Sequence, residues 1–315
     1  MSSFRRHLLI AFTVLAVSAH QGAMAQAAVV GILEGKATLI RQTAKLALAE
    51  GVTLQNEDIV ETPAAGFVQI EFADGGRIGI GANSRLILAP RGPGRGAVGP
   101  RLYLLQGWLK LTQPADKTPP GDCVTPQFEL AAVSGATILT SGPKEFAVFV
   151  ESGSAKLTER SNVRPPLQLV GGNFVSAKPG DKPSQSGRPT PEFLEQMPRP
   201  FRDPLPSRAA KFRDSLITPK PLGDVAYDDI AAWLSAEPGL RLPLVERWRP
   251  RLRDKTFRAA MIANLATHPE WDPLVFPEKA AKKKADEKRA RELKAATAAA
   301  AAASALAASA PRAPE

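Results

Sequence analysis

Apolar and polar positions alternate along the first half of the chain. In Phe67-Val68-Gln69-Ile70-Glu71-Phe72, apolar residues at 68, 70 and 72 enclose polar ones at 69 and 71. This period of two predicts a half-buried strand. Residues 31–40 carry a looser version of the same pattern. Asp74-Gly75-Gly76 follows the first strand and predicts a hairpin turn, in which Asp74 caps the turn backbone and Gly75 takes a positive φ. The chain then returns through residues 77–81. Further strands are predicted at 84–89, 101–112, 128–133, 136–140, 146–151, 155–159 and 167–175, separated by Gly, Pro, Asn or Ser. About ten short strands at this spacing predict an all-β roll or sandwich over residues 26–178.

The period then changes. Residues 179–222 hold ten of the 29 prolines, a density that no long element survives, and are expected to form a Pro-rich linker. Short helical pieces are expected there at 192–197 and 207–216. Residues 223–276 predict a small α-helical unit. Asp224 is expected to cap a first helix through 228–234, ended by Pro238-Gly239. A second piece at 244–248 is closed by Pro250. Asp254 is expected to cap a third, with Phe257, Met261 and Leu265 on one stripe and Ile262 beside it. With Trp233, Trp248 and Trp271 this unit has about 50 residues, near the lower limit for folding alone, so it is expected to dock on the β domain. Residues 277–315 form a Lys/Ala-rich low-complexity tail, with 12 Ala among residues 295–310. Good helix propensity without large apolar residues predicts a frayed helix or a disordered tail.

Residues 1–25 read as a secretory signal. Arg5 and Arg6 precede an apolar stretch at 8–17, and Ala23-Met24-Ala25 places cleavage near Ala25-Gln26. The stretch is too short for a bilayer span, which needs about 20 residues. No later apolar run is long enough, so no integral span is expected in the mature chain. The expected location is periplasmic or secreted. The formal charge of +10 suggests nucleic acid until it is placed along the chain. Residues 26–178 and 179–277 each contribute only +2, the leader another +2 and the tail +4. A near-neutral middle argues against nucleic-acid binding.

The inventory of chemistry is small. Outside the leader the chain has one His, His268, and one Cys, Cys123. These counts exclude a multi-His or Cys/His zinc site, and no cofactor is expected. Cys123 reads as a buried small hydrophobe or a free thiol, burial being favoured. Gly94-Arg95-Gly96-Ala97-Val98-Gly99 matches a dinucleotide-binding pattern, but Pro100 and a strand follow where a helix is required. It reads instead as a loop with Arg91, Arg95 and Arg101 as a basic rim. Glu57-Asp58 would point to opposite faces of a strand, and Asp228-Asp229 suit the first turn of a helix. Ser134, Ser141, Ser152 and Ser154 have no base nearby in sequence and read as turn residues. No enzyme is expected. The densest positive stretch holds Arg241, Arg247, Arg249, Arg251, Arg253, Lys255 and Arg258 around Trp248. With the basic run at 279–294 it is the candidate contact for an anionic partner, either an envelope protein or an anionic envelope polymer.

Residues 31–178 resemble the FecR-like domain family. The resemblance begins near Gly31-Ile32-Leu33-Glu34-Gly35 and is strongest over 58–80, where a Thr (Thr62), a small-residue turn, an alternating strand, Asp74-Gly75 and a second strand follow in order. Ser84-Arg85-Leu86 and the leucine–glycine strand Leu104-Leu105-Gln106-Gly107-Trp108 continue the pattern. The resemblance implies a β domain placed outside the inner membrane. It also implies two roles. One is a soluble, exported, non-enzymatic interaction or envelope-scaffold module. The alternative is a ligand sensor or regulator in a TonB-dependent, sigma-factor-linked signalling system.

Overall fold

The computed structural model describes residues 28–90, 101–114, 123–160, 164–178 and 180–308. The leader at 1–25, and Arg91 and Arg95 with the glycine pattern at 94–99, lie outside the described residues. In chain order the strands begin with β1 (Ala28–Glu34), β2 (Thr38–Arg41), β3 (Ala44–Ala47), β4 (Thr53–Leu54), β5 (Ile59–Glu61), β6 (Phe67–Phe72), β7 (Arg77–Ile80) and β8 (Arg85–Leu88). They continue with β9 (Leu102–Gln113), β10 (Cys123–Val124), β11 (Phe128–Ser141), β12 (Phe146–Glu159), β13 (Leu167–Val170), β14 (Phe174–Ala177), β15 (Ser184–Ser186) and β16 (Lys220–Asp224). The helices are α1 (Pro191–Gln196), α2 (Tyr227–Leu234), α3 (Pro238–Trp248), α4 (Lys255–Ala263), α5 (Asp272–Val275) and α6 (Pro277–Ala308). The chain is thus mainly a large β-sheet with helices toward its C-terminus.

The strands form one hydrogen-bonded sheet that folds over on itself into two layers. The first layer runs β16-β3-β2-β5-β8 and continues into the N-terminal part of β9. The second contains β4, β1, β6 and β7 and joins the C-terminal part of β9. Strands β9, β11 and β12 pass through both layers. The first part of β12 pairs β14 and its last part pairs β13. This corrects the sequence expectation at two places, where 128–133 and 136–140 are one strand, as are 146–151 and 155–159. The glycines taken as separators are bends inside continuous strands. Gly135 and Gly153 lie directly opposite each other, both at positive φ (71° and 78°). A Cβ on Gly153 would fall 2.2 Å from the Ser134 carbonyl oxygen, so only glycine lets both strands turn together.

Alternation along each strand sorts side chains between three cores. Leu39, Val60, Leu86 and Leu104 of the first layer meet Val30, Val68, Ile80 and Leu109 of the second, and these fill the central core with Cys123. Their neighbours Ile40, Ile59, Ile87 and Tyr103 point outward, where Trp233, Trp248, Phe257 and Trp271 of the helical unit cover them. On the opposite outer face Ile32, Phe67, Ile138 and Phe174 are covered by Phe193, Met197 and Phe201. The molecule therefore has four layers. β6 is buried at all six positions, where the alternating pattern predicted half-burial.

Residues 180–222 of the expected linker are accordingly docked on the sheet. They form a strap: β15 pairs β14, the aromatic anchors pack on the second layer, and β16 adds to β3 as an edge strand. Proline forbids long elements but not docking, because a segment without backbone donors can still bury side chains. Two helix boundaries also differ from expectation. Asp224 ends β16, and Ala226 is the N-cap of α2, its N–H accepted by Asp229 Oδ2 at 2.9 Å. Pro238 opens α3 rather than ending α2, which suits a residue with no N–H to satisfy. Asp254 does cap α4, accepting from Phe257 N–H at 2.8 Å. Of the two states expected for the tail the structure has the helix, running to Ala308. Its high-propensity composition and the i,i+4 pairs Lys283–Glu287 and Lys288–Glu292 carry it. Residues 309–315 lie outside the described residues.

Candidate functional site

The Asp74-Gly75-Gly76 turn connects β6 to β7. Asp74 Oδ1 accepts the Gly76 N–H at 2.8 Å, and Gly75 has φ 87°. Asp74 Oδ2 also accepts from Arg101 at 3.1 Å, and the Arg101 guanidinium lies 3.8 Å from the centre of the Phe72 ring. Arg101 is therefore tucked against the turn rather than forming an exposed rim.

The Arg-rich stretch is largely used inside the molecule. Trp248 is fully buried, and its indole N–H donates to the Gln42 carbonyl at 3.1 Å. Trp248 is thus no surface residue. Arg247 donates to the carbonyls of Ile40, Gln42 and Glu57 at 3.0, 3.1 and 2.6 Å, clamping α3 to β2 and the turn after it. Arg251 holds Asp224 and the Val225 carbonyl, Arg241 holds Glu270 and the Ala236 carbonyl, and Arg258 donates to the Val275 carbonyl. Arg249, Arg253 and Lys255 alone of the group are exposed. A guanidinium carries five donors, so one arginine can bind several carbonyls at once, and the sequence does not reveal which carbonyls it will reach. Asp58 and Asp229 are also structural, paired with Arg41 and Lys45 respectively.

Two polar clusters pin the helical unit to the first layer. The Trp233 indole donates to Glu61 at 2.9 Å, with Arg85 at 3.3 Å from the same carboxylate. Burial raises the Glu61 pKa, partly offset by Trp233 and Arg85. The Tyr103 hydroxyl donates to Glu237, and Arg160 reaches Glu237 at 2.6 Å. Burial, then the Glu237 contact, pushes the Tyr103 pKa strongly upward. His268 is 1 % exposed and shares a 2.9 Å hydrogen bond with the Tyr227 hydroxyl. Burial lowers its pKa and keeps it neutral at physiological pH.

The strap makes the more distinctive arrangement. Glu71 points outward from β6, is 4 % exposed, and accepts from the Ser207 hydroxyl, the Arg208 N–H at 2.7 Å, the Ala209 N–H at 3.3 Å and Gln69 at 3.3 Å. Burial alone would raise its pKa; the four donors outweigh it and lower the value below 4.5. Upstream of this anchor, residues 200–205 bridge a cavity of about 330 Å³ against the second layer. Two cations on the sheet act as pillars. Lys110 donates to the Phe201 carbonyl at 2.7 Å and Arg77 to the Leu205 carbonyl at 2.8 Å. Between them Gly79 lets the Phe201 ring lie against the sheet, and the small side chain of Ala136 leaves room beside it. Lys110 is ion-paired with Glu151 at 2.8 Å, while Arg77 has no carboxylate within ion-pair distance among the described residues. The sequence reading missed Arg77 and Lys110. Their only signal was a basic residue at an outward strand position beside a glycine or a tryptophan.

At the other end of the molecule α6 is exposed along its described surface. One side of it forms an open groove of about 750 Å³ with Pro269, Asp272 and Pro273, lined by Lys279, Lys283, Lys284, Lys288 and Arg291. Among the described residues no group of three or more His, Cys, Asp or Glu is placed to hold a metal ion. No helix of the described residues is long and apolar enough to cross a membrane.

No family model matches the sequence, and no curated protein matches it. Among solved structures the chain is similar to two crystal structures of a candidate anti-sigma factor from Parabacteroides distasonis, at 2.50 and 1.65 Å resolution. The identities are 12 % and 10 %, each with a TM-score of 0.34. Each match covers 41 % of this chain and 59 % of the other, so this chain spans little more than half of those proteins.

Proposed function

We propose that the chain is an exported, non-enzymatic interaction module of the cell envelope, with the resemblance to FecR-like domains describing its β body. The observation that carries this reading is α6. The helix α6 stands exposed over residues 277–302 on a body whose two sheet faces are already covered, and its basic half faces solvent. Lys282, Lys284, Arg289 and Arg291 have no ion pair among the described residues, and Arg249, Arg253 and Lys255 add positive charge on the neighbouring helical unit. A rigid body bearing a basic helix suits an anionic envelope polymer rich in phosphate or carboxylate.

Co-sedimentation of the full chain with lipopolysaccharide, and with phosphatidylglycerol against phosphatidylcholine vesicles, tests the reading. Binding is expected to the anionic surfaces alone, to weaken between about 0.05 and about 0.5 M salt as screening shortens the reach of charge, and to fall in a Lys282→Gln, Lys284→Gln, Arg289→Gln, Arg291→Gln variant. Absence of binding at low salt, or unchanged binding by that variant, overturns it. A second reading, a ligand sensor in a TonB-dependent, sigma-factor-linked system, is favoured by the roofed cavity alone. Adjacent genes for a sigma factor and an outer-membrane receptor would support that reading, and their absence would remove it.

A further inference from the structure

We infer that the cavity between the strap and the second sheet layer binds a small organic anion, a single carboxylate carried on an apolar body. The volume of about 330 Å³ lies at the small end of ordinary ligand pockets, enough for a compact molecule and too little for a nucleotide or an oligosaccharide. Its walls divide by chemistry. Phe67, Phe201 and Leu205 supply an apolar surface, and Gln69, Arg77, Lys110 and Thr112 present polar groups from one face of three adjacent strands.

Charge selects the ligand's sign and valence. Lys110 is neutralised by Glu151, and Asp203 lies on the exposed rim of the strap. Arg77 is a half-buried guanidinium that gives one donor to the Leu205 carbonyl; Glu71 lies opposite it across the β6–β7 ladder with its oxygens taken by the strap, and no carboxylate among the described residues is within ion-pair distance. A cation in partly apolar surroundings is stabilised by an anion it can bind through two parallel hydrogen bonds, and a carboxylate has that geometry. Over the lining, Arg77, Lys110 and Arg202 stand against Glu151 and Asp203, and one positive charge in excess matches a monocarboxylate rather than a phosphate dianion. The cavity is also built rather than incidental. Lys110 and Arg77 hold the strap through its carbonyls, Gly79 seats the Phe201 ring on the sheet, the small Ala136 leaves room beside it, and Glu71 anchors the strap just downstream. This inference is independent of α6 and of any signalling system, so loss of the envelope-contact reading leaves it standing.

Isothermal titration of the full chain with 3-phenylpropanoate and with octanoate tests it, 3-phenylpropanamide serving as the uncharged control. At least one acid is expected to bind with Kd at or below about 1 mM, near −4 kcal/mol, with the amide at least about tenfold weaker. Arg77→Gln is expected to lose at least about tenfold, and Ala136→Leu, which fills the floor, to abolish binding. Circular dichroism melting establishes that both variants fold, and the acid-against-amide comparison on the native chain stands without them. The inference is overturned if neither acid binds at about 10 mM, if acid and amide bind alike, or if both folded variants bind as the native chain does.

Discussion

Glu71→Gln tests the most heavily bonded carboxylate of the fold. Its oxygens satisfy four donors, three of them from residues 207–209 of the strap. Glutamine offers one acceptor oxygen and turns an NH2 group toward backbone N–H donors, so at least two of these bonds are lost. Bonds to a charged acceptor contribute about 1.5–3 kcal/mol each. The strap donors lie at the surface and regain water when the strap lifts, so the loss is capped by local detachment at about 2–3 kcal/mol rather than reaching the full sum. At about 1.4 kcal/mol per decade the strap-open fraction rises about 30- to 150-fold. Hydrogen exchange of residues 200–213, followed by mass spectrometry, reads this fraction directly. The pH dependence supplies a second readout. The folded pKa lies below the unfolded 4.5, so Glu71's contribution is present above 4.5 and lost as pH falls through the folded value. Protection of the native strap should therefore drop in acid, and the Gln variant should lack that component. Equal protection in the two proteins at neutral pH, or an acid response surviving in the variant, refutes the reasoning.

Three further substitutions probe the helical unit and the bent strands. Trp248→Ala removes a fully buried indole and its bond to the Gln42 carbonyl, and is expected to cost about 3–5 kcal/mol in urea denaturation; a loss under about 1 kcal/mol would mean that the helical unit is not held through this residue. Gly153→Ala combines positive φ with a 2.2 Å approach to the Ser134 carbonyl, whereas at Gly75 the nearest atom to a new Cβ is Pro114 Cγ at 3.5 Å. Gly75→Ala should cost about 1 kcal/mol from backbone conformation alone, a melting shift of about 2–4 °C, and Gly153→Ala clearly more; equal shifts would sink the account of the bent strands.

The strands were legible because alternation is a local property. Leu39, Val60 and Leu86 face one way and Ile40, Ile59 and Ile87 the other, and the sequence displays both sets. What lay beyond it was the partner of the second set. Apolar residues on both faces of β2, β5 and β8 indicate a double covering, but not that helices cover one layer and a proline-rich strap the other. Glycines 135 and 153 were visible as punctuation, yet whether a glycine ends a strand or bends it depends on what runs opposite. The arginines misled for a related reason. Arg247 and Arg251 carry charge that reads as surface, while their donors are spent inside the molecule, on the Ile40, Gln42 and Glu57 carbonyls and on Asp224 and the Val225 carbonyl. Arg77 and Lys110 became a candidate site only once the strap was seen above them.

The edge position of β16 imposes an order in time. Gly223 pairs with Lys45, roughly 180 residues earlier in the chain. At ribosomal speeds of about 5–20 residues per second, β3 emerges about 9–36 s before the strand that covers its edge. Throughout that interval its backbone is open to any other strand, and Ile40, Ile59 and Ile87 await Trp233 and Trp248. A chain cut short before residue 220 would leave both defects permanent, so truncated products should be far more prone to aggregate or to be degraded than the complete protein.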